Sequence, residues 1–382
     1  MKNLSSKKIN KASSLFFCAF MAGCASTDMA VTYDANGSAV SQADTFIGSD
    51  SEKHMKDVKK VGLLSCNVMF GMTTSASAST SGGFRAGNTR AIGTVSRSDV
   101  KVSVTYTAQG IEERDLQRIA DRACDDAEKQ LSNAGFQLVS HDIIKANSHY
   151  KNIQAGGRAS PFEYKGDGGT RYLVLARSGE AVTDSRYIGA SKGLAQSFKS
   201  VSGESTAQLE AQMMKELNIS GVNINLLVDF AELQGDGHKS WAGLSNKDNA
   251  KVSSKVELAV TGDLRFQPAG NIKCARASLM NPADVCSILP HHQPVFAAKQ
   301  TIASPAKFYS SIDNVTTTSD KVTSGVTKAL GMLSALGGVS SSVARDITRY
   351  QVNVLPDVYQ AEAFTLSSGF MGMAAAKAAA VR

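Results

Sequence analysis

The strongest constraint on the fold is a change of hydrophobic period along the chain. Apolar residues recur at every second position in three segments, as on one face of a β-strand. These segments are 61–70, 222–230 and 256–266. Between the first two, residues 111–133 repeat at the helical period, and Gly135 follows as a helix-stopping residue. The chain therefore predicts strands and helices that pack on one another.

A second helix is predicted to begin near Ser205. This residue opens a capping-box pattern and precedes an apolar stripe of Leu209, Met213 and Leu217. The helix leads directly into the strand at 222–230, which we expect to pair with the strand at 256–266.

The predicted fold class is α+β, with a mixed sheet, packed helices and two long polar insertions. The main domain spans 58–270, and its insertions are 71–110 and 151–203. The first insertion, rich in Ser and Thr, is interpreted either as a flexible loop plus one strand or as a hairpin of two weakly apolar strands. Residues 271–382 form a C-terminal α/β region with weaker signals. Those signals are a Gly/Ala-rich helix at 322–336, a strand at 350–355 and an Ala-rich tail.

The N-terminus has the pattern of an export signal. Lys2, Lys7, Lys8 and Lys11 precede a short apolar run that ends at Met21. That run is about half of the roughly 20 residues that a membrane-spanning helix needs. We therefore interpret residues 1–23 as a signal peptide. Residues 24–57, which are polar and contain few large apolar side chains, are interpreted as a flexible tether.

The sequence Met21-Ala22-Gly23-Cys24 resembles the lipobox of bacterial lipoproteins. The resemblance implies cleavage between Gly23 and Cys24, with covalent diacylglycerol and N-acyl lipid on Cys24 and no other cofactor. The residue after Cys24 is Ala25 rather than the Asp that retains such proteins in the inner membrane. This implies a lipid anchor in the outer membrane, on its periplasmic face. The alternative is an ordinary secretory signal with a cysteine near its cleavage site.

Four cysteines remain after Cys18 is removed with the signal peptide and Cys24 is acylated. In an oxidising compartment an even set can pair. Cys274 and Cys286 flank a short polar loop and are the candidate disulfide. Cys66 and Cys124 both lie on apolar faces of predicted elements, so a bridge and two buried thiols are left as alternatives.

Charge excludes one class of function. The chain has 41 Lys and Arg against 34 Asp and Glu, and loss of the four signal-peptide lysines leaves 37 against 34, a formal +3. The pI of 9.0 therefore gives no case for nucleic-acid binding. No later stretch holds 18 consecutive apolar residues, so no membrane-spanning helix is expected.

Two glycine-containing motifs match the letters of catalytic or phosphate-binding motifs but lack the rest of the required pattern. Residues 189–193 match G-x-S-x-G around Ser191, with Asp229 and His238 as the one acid and histidine pair to complete a triad. The polar flanks do not supply the strand and helix that a nucleophile elbow requires, so a hydrolase is the weakest alternative. The turn at 166–169 lacks the Lys and Ser/Thr of a phosphate loop.

Adjacent histidines raise the question of a metal. His291 and His292 lie between two prolines, and on an extended segment they would point to opposite faces. No third ligand stands at a recognised spacing. We predict a solvated histidine pair, no metal site and no enzymatic activity.

The order of elements resembles one family of envelope proteins. The predicted order is strand, insertion, helix, strand, second insertion, helix and two strands. This order is similar to that of the curli-secretion-channel (CsgG-like) lipoproteins and of the N-terminal module of TolB-like proteins. The residues that carry the resemblance are 61–70, the helix end at 130–136 and the helix-to-strand step at 216–226. In that family the subunits form a ring, and two inserted hairpins per subunit line a channel through the outer membrane.

The resemblance implies two classes of function. The first is a non-catalytic assembly or scaffold lipoprotein of an envelope machine or surface appendage, with envelope proteins or further copies of the chain as partners. The second is an oligomeric secretion channel. The first insertion carries Arg85, Arg90, Arg97 and Lys101. Because a lipid-facing Arg costs about 2–4 kcal/mol at the membrane midplane, the first class is favoured.

Overall fold

A twelve-stranded mixed sheet forms the centre of the protein, with helices on both faces. The structure is a computed structural model that describes residues 33–79, 98–165, 169–183, 206–238, 249–276, 284–320 and 342–382. The helices are α1 (Ala39–Phe46), α2 (Glu113–Asn133), α3 (His141–Ala146), α4 (Ser148–Gly156), α5 (Thr206–Leu217) and α6 (Pro356–Ala380). The α+β fold class predicted from the sequence is confirmed.

The strands vary in length from two residues to twenty. They are β1 (Ile47–Asp50), β2 (Lys60–Ser79), β3 (Ser98–Gln109), β4 (Gln137–Leu138), β5 (Phe162–Lys165), β6 (Arg171–Ala176), β7 (Ser220–His238), β8 (Asn249–Gln267), β9 (Lys273–Arg276), β10 (Asp284–Ser287), β11 (Val295–Ala298), β12 (Ile302–Ser304), β13 (Tyr309–Asn314) and β14 (Ser342–Val354). The main path of the sheet is β1-β11-β8-β7-β2-β3-β14-β13. Strands β9 and β10 form a separate small sheet.

Strand β2 changes partner along its length. Its first half pairs in parallel with β7, from Val61 opposite Ser220 to Phe70 opposite Val228. Its second half, from Thr73 onward, pairs antiparallel with β3. Strand β3 in turn pairs in parallel with β14 over twelve residues. The second half of β2 thus belongs to a different part of the sheet from the first half.

Helix α2 forms where the sequence predicted a helix at 111–134. The Asp115 carboxylate accepts a hydrogen bond from the Glu112 main-chain N–H at 3.2 Å and so caps the helix start. Gly135, at φ +85°, ends the helix in a conformation that favours glycine. Leu116 and Ile119 are buried against the sheet. Helix α2 therefore packs on β2, within the segment 61–70 that was predicted to be a strand.

Helix α6 replaces the predicted Ala-rich tail. It packs beside α2 and α1, and Phe370, Met371 and Met373 are fully buried. Its apolar residues cover more than one side, so they do not form the single stripe that predicts a surface helix. Gly369 leaves room for the Tyr33 ring, because a Cβ there would lie 1.9 Å from the Tyr33 hydroxyl oxygen.

Two predicted boundaries are wrong. Residues 39–50 of the expected 24–57 tether form α1 and β1, and Phe46, Ile47, Met55 and Val58 are buried in the main core. Large apolar side chains were few in that segment but sufficient to anchor it. The C-terminal region 271–382 shares the sheet and the core of the main domain, because β11 pairs with β8, β14 pairs with β3, and α6 packs in the same hydrophobic cluster.

The two predicted insertions have different structures. In the first, 71–79 and 98–109 form the paired arms of β2 and β3, which is the hairpin alternative. In the second, the described residues form most of α4 with β5 and β6, rather than one long hairpin. The other long ribbon is β7 with β8, which pair from Gly221 opposite Gln267 to His238 opposite Asn249. The predicted helix at 322–336 lies outside the described residues.

The packing of α2 gives a direct test of the core. Leu116→Asp places a carboxylate at a position that is 1% exposed, and burial of an unpaired charge should lower the free energy of unfolding by several kcal/mol. Lys129→Asp, at an exposed position of the same helix, is the control and should change stability little. Chemical denaturation of both variants measures the difference, and an unchanged Leu116→Asp midpoint would contradict this placement.

Candidate functional site

Four strands carry a continuous surface of short polar side chains, called here the polar face. It is formed by alternate residues of β2, β3, β14 and β13, because every second side chain of a strand points to the same side. Its members are Ser75, Thr105, Thr107, Gln351, Asn353, Ser311 and Asp313, with the buried Thr73 at its inner end. The Thr73 and Thr107 hydroxyl oxygens lie 3.4 Å apart, and those of Ser75 and Thr105 lie 3.1 Å apart.

Side-chain hydrogen bonds fix the outer part of the polar face. The Asn353 amide donates to the Ser311 hydroxyl at 2.8 Å and to the Asp313 carboxylate at 2.6 Å. The Gln351 amide donates to the Asn353 carbonyl at 2.9 Å. Beside them Arg349 donates to Asp320 at 2.9 Å, and this bond is the first cause that lowers the pKa of Asp320 to about 2. The side chains of this face are therefore held in defined positions.

The opposite side of the same strands is apolar and is covered by the protein itself. The Tyr106 and Tyr350 rings stack with centroids 4.8 Å apart, and the Tyr106 hydroxyl lies 3.0 Å from the Ser254 hydroxyl of β8. Leu233 and Val256 of the β7–β8 ribbon join the same hydrophobic cluster. The two ribbons thus pack face to face, and the polar face is the side left outward.

An open strand edge borders the polar face. Among the described strands, β13 pairs only with β14. Ile312 and Val315 at this edge are 36% and 42% exposed. An edge strand offers unpaired main-chain N–H and C=O groups to another strand. The polar face and this edge together form the candidate functional site, and its chemistry is that of a docking surface.

A buried polar cluster lies on the other face of the central strands, between them and α5. The Asn223 amide donates to the Ser65 hydroxyl at 2.8 Å and to the Glu210 carboxylate of α5 at 3.0 Å. The Gln267 amide donates to Glu210 at 2.7 Å and to the Asn223 carbonyl at 2.8 Å. These hydrogen bonds join β2, β7, β8 and α5, beside a buried apolar cluster that includes Leu64, Leu209 and Met214.

The cluster also contains two ionisable groups, Asp263 opposite Asn225 and Arg265 opposite Asn223. Asn67 donates to Asn225 at 3.1 Å, and Asn225 donates to Asp263 at 3.4 Å. Burial raises the pKa of the Asp263 carboxyl to about 7, which the Asn225 hydrogen bond offsets only in part. Burial lowers the pKa of Arg265 to about 9, and its guanidinium donates to the Gln293 carbonyl at 2.9 Å.

The sequence contains a partial signal for this cluster. Asn223 and Asn225 alternate with the apolar residues of β7, which predicted a strand with one face in water. The structure instead covers that face, and both asparagines are 0% exposed. Runs of Asn, Asp, Arg and Gln at alternate positions of neighbouring strands are the pattern that could have indicated polar burial.

Cys66, Cys124, Cys274 and Cys286 all form disulfides. Cys274 and Cys286 are bonded, and they stand opposite each other in the β9–β10 pair. Cys66 of β2 is bonded to Cys124 of α2, which is the bridge alternative for this pair. Both partners of the second bond are buried, so it links the helix to the sheet inside the core.

Two sets of predicted site residues lie outside the described residues. They are Gly23 and Cys24 of the lipobox and the G-x-S-x-G segment around Ser191. The acid and the histidine that would complete a triad with Ser191 are both on β7. Asp229 and His238 are nine residues apart on the same strand, which corresponds to about 30 Å at about 3.3 Å per residue. Asp229 accepts hydrogen bonds from Thr74 at 3.0 Å and from the Phe230 N–H at 2.8 Å.

The histidine pair differs from the prediction. His291 and His292 belong to a short 3-10 helix rather than an extended segment, and their ring centroids are 4.3 Å apart. His54 adds a third ring, 4.6 Å from that of His292. The part of the chain that the structure describes contains no group of three or more His, Cys, Asp or Glu side chains arranged to hold a metal ion.

None of the described helices is both long and apolar enough to cross a lipid bilayer.

Comparison with known proteins adds no relative to this picture. No family model matches the chain, and neither curated proteins nor solved structures give a match.

The raised pKa of Asp263 predicts a pH-dependent stability. The folded protein holds this proton more tightly than the unfolded chain, where the ordinary pKa is 3.8. The stability that protonated Asp263 contributes is therefore fully present below about pH 4, and it is lost as the pH rises through about 7. Asp263→Asn removes the ionisation, so its melting temperature should match the wild type near pH 4 and exceed it near pH 8.

Thermal unfolding across this pH range measures the effect. Asp142→Asn, at an exposed position, is the control and should follow the wild type. Burial also raises the pKa of Asp229, so some pH dependence should persist in Asp263→Asn. A variant curve parallel to the wild type throughout would contradict the assignment to Asp263.

Proposed function

We propose that the protein is a non-catalytic lipoprotein, anchored to the outer membrane on its periplasmic face, that acts as an assembly or scaffold component of the cell envelope. The observation that carries the proposal is the N-terminal sequence, in which a signal-peptide pattern ends at Gly23 and Cys24. More than one acyl chain on Cys24 would hold the protein stably, whereas a single chain gives marginal binding.

The disulfides support export. Cys66–Cys124 and Cys274–Cys286 join all four cysteines that remain in the mature chain. Such bonds persist in oxidising compartments and are rare in the reducing cytosol. A periplasmic location is therefore consistent with the covalent structure of the folded domain.

The candidate site supports a role in assembly. The polar face presents fixed hydroxyl, amide and carboxylate groups, and β13 adds an open edge with exposed Ile312. A partner strand could extend the sheet at this edge while contacting the polar face beside it. The partner class that fits is another envelope protein or a second copy of this chain.

The ribbon packing favours a scaffold over the channel alternative. A hairpin that crosses lipid must turn apolar side chains outward. In the β2–β3 hairpin the apolar side, with Val104 and Tyr106, contacts the β7–β8 ribbon of the same chain. Ser75, Thr105 and their neighbours remain on the outside.

Metabolic labelling tests the anchor. Labelled palmitate should enter the wild-type protein and the Cys18→Ala variant, since Cys18 lies in the signal peptide, but should not enter Cys24→Ala. Equal labelling of Cys24→Ala and wild type would exclude lipidation at this cysteine.

A second experiment tests assembly at the open edge. Detergent-extracted wild type should exceed the mass of one chain in light scattering, whereas Ile312→Lys should be monomeric, because a charge on an edge strand opposes strand addition. Ile143→Lys, on α3 and 52% exposed, is the control and should remain assembled. An unchanged mass for Ile312→Lys, with an unchanged melting temperature, would exclude this edge.

A further inference from the structure

A cavity of about 410 Å³ lies at the end of the sheet where β2 begins. Its lining includes Lys56, Lys59, Arg382 and Gln137, with Asp57 as the one acidic residue among the lining residues. Neither lysine forms a salt bridge within the described residues, and both are exposed. The cavity therefore collects positive charge and a neutral amide in one place.

The loop that carries the lysines is held in position by its neighbours. Met55 and Val58 are buried on either side of the turn, and the Val58 N–H donates to the Met55 carbonyl at 3.0 Å. Asp57 adopts φ +70°, a left-handed conformation that lets the chain reverse here. Lys56 and Lys59 are thus presented by a fixed turn.

The guanidinium of Arg382 is also held. It donates to the Gly135 carbonyl at 2.8 Å and lies over the Phe136 ring, 4.7 Å from its centroid. A Cβ on Gly135 would come within 2.8 Å of an Arg382 nitrogen, so a side chain there would displace the guanidinium. Arg382 lines the same cavity as Lys56 and Lys59.

A further lysine follows the loop. Lys60 is exposed, and its ammonium donates to the Leu217 carbonyl at 3.5 Å. Such a concentration of one sign attracts a ligand of the opposite sign.

We propose that this cavity binds a phosphate group. The residues that line the cavity supply a planar guanidinium and two ammonium groups. These donors match the oxygen acceptors of a phosphate monoester or diester, and charge-assisted hydrogen bonds of this type are strong. The ligand is either free phosphate or the headgroup of an anionic phospholipid. Both present the same chemistry to Lys56, Lys59 and Arg382.

Binding should be measured on the chain from Ala25 onward, which contains the compact unit Thr32–Arg382 and lacks Cys24. One arm uses sedimentation with phosphatidylcholine vesicles, with and without phosphatidylglycerol. The other arm uses calorimetry with inorganic phosphate and pyrophosphate. Since the chain carries no lipid, the result is independent of the proposed anchor.

The variants assign binding to the cavity. Lys56→Gln/Lys59→Gln should weaken binding about tenfold or more, since each lost charged donor is a substantial share of a phosphate contact. Lys56→Arg/Lys59→Arg should retain it. Lys151→Gln/Lys165→Gln removes the same charge from exposed positions elsewhere and should bind as wild type. Equal melting temperatures show that the exposed substitutions leave the fold intact.

Each outcome decides the proposal. Binding only to vesicles that contain phosphatidylglycerol identifies a lipid headgroup, and binding in calorimetry identifies free phosphate. Either result supports the proposal if the Lys56/Lys59 glutamine variant alone is impaired. Absence of wild-type binding in both arms, or equal weakening by the Lys151/Lys165 control, would overturn it.

Discussion

The main-chain pairing of β2 is the constraint on which the rest of the structure depends. One continuous strand, Lys60–Ser79, pairs with β7 in its first half and with β3 in its second half. The first half requires helices on both sides, because a central strand with a parallel neighbour is buried on both faces. The second half extends beyond the helices. Its apolar side is instead buried by the β7–β8 ribbon, through Leu233 and Val256.

The two faces of the central sheet solve burial in different ways. On one face α1, α2 and α6 cover apolar residues, and the Cys66–Cys124 bond ties α2 to β2. On the other face Asn223, Asn225 and Asp263 are buried and hydrogen-bonded, beside the apolar cluster that α5 forms with β2. Buried polar groups are costly unless their hydrogen bonds are made, so this face tolerates few alternative registers of β7 and β8. We infer that the polar cluster contributes specificity of strand pairing at the expense of stability near neutral pH.

The two proposed interaction sites lie at opposite ends of the same strand. The cationic cavity is formed by the turn that precedes β2, with Lys56 and Lys59, and by Arg382. The polar face includes the other half of β2, from Thr73 onward. A protein held at a membrane could therefore bind a phosphate group at one end of the sheet while its open edge at β13 remains available to a protein partner. The proposals are independent, since a different set of residues carries each.

The sequence alone determined the elements whose burial is one-sided. Helix α2, with Leu116 and Ile119 on one stripe, and the apolar face of β7 follow from local period, because that period reports which side chains share a face. Tertiary structure decided the rest. Helix α6 is buried on several sides and has no single stripe, Asn223 and Asn225 lie in the interior although their pattern suggests solvent, and Lys56, Lys59 and Arg382 meet only when the chain has folded. Period describes the local face of an element, whereas the identity of what covers that face depends on contacts between residues far apart in the chain.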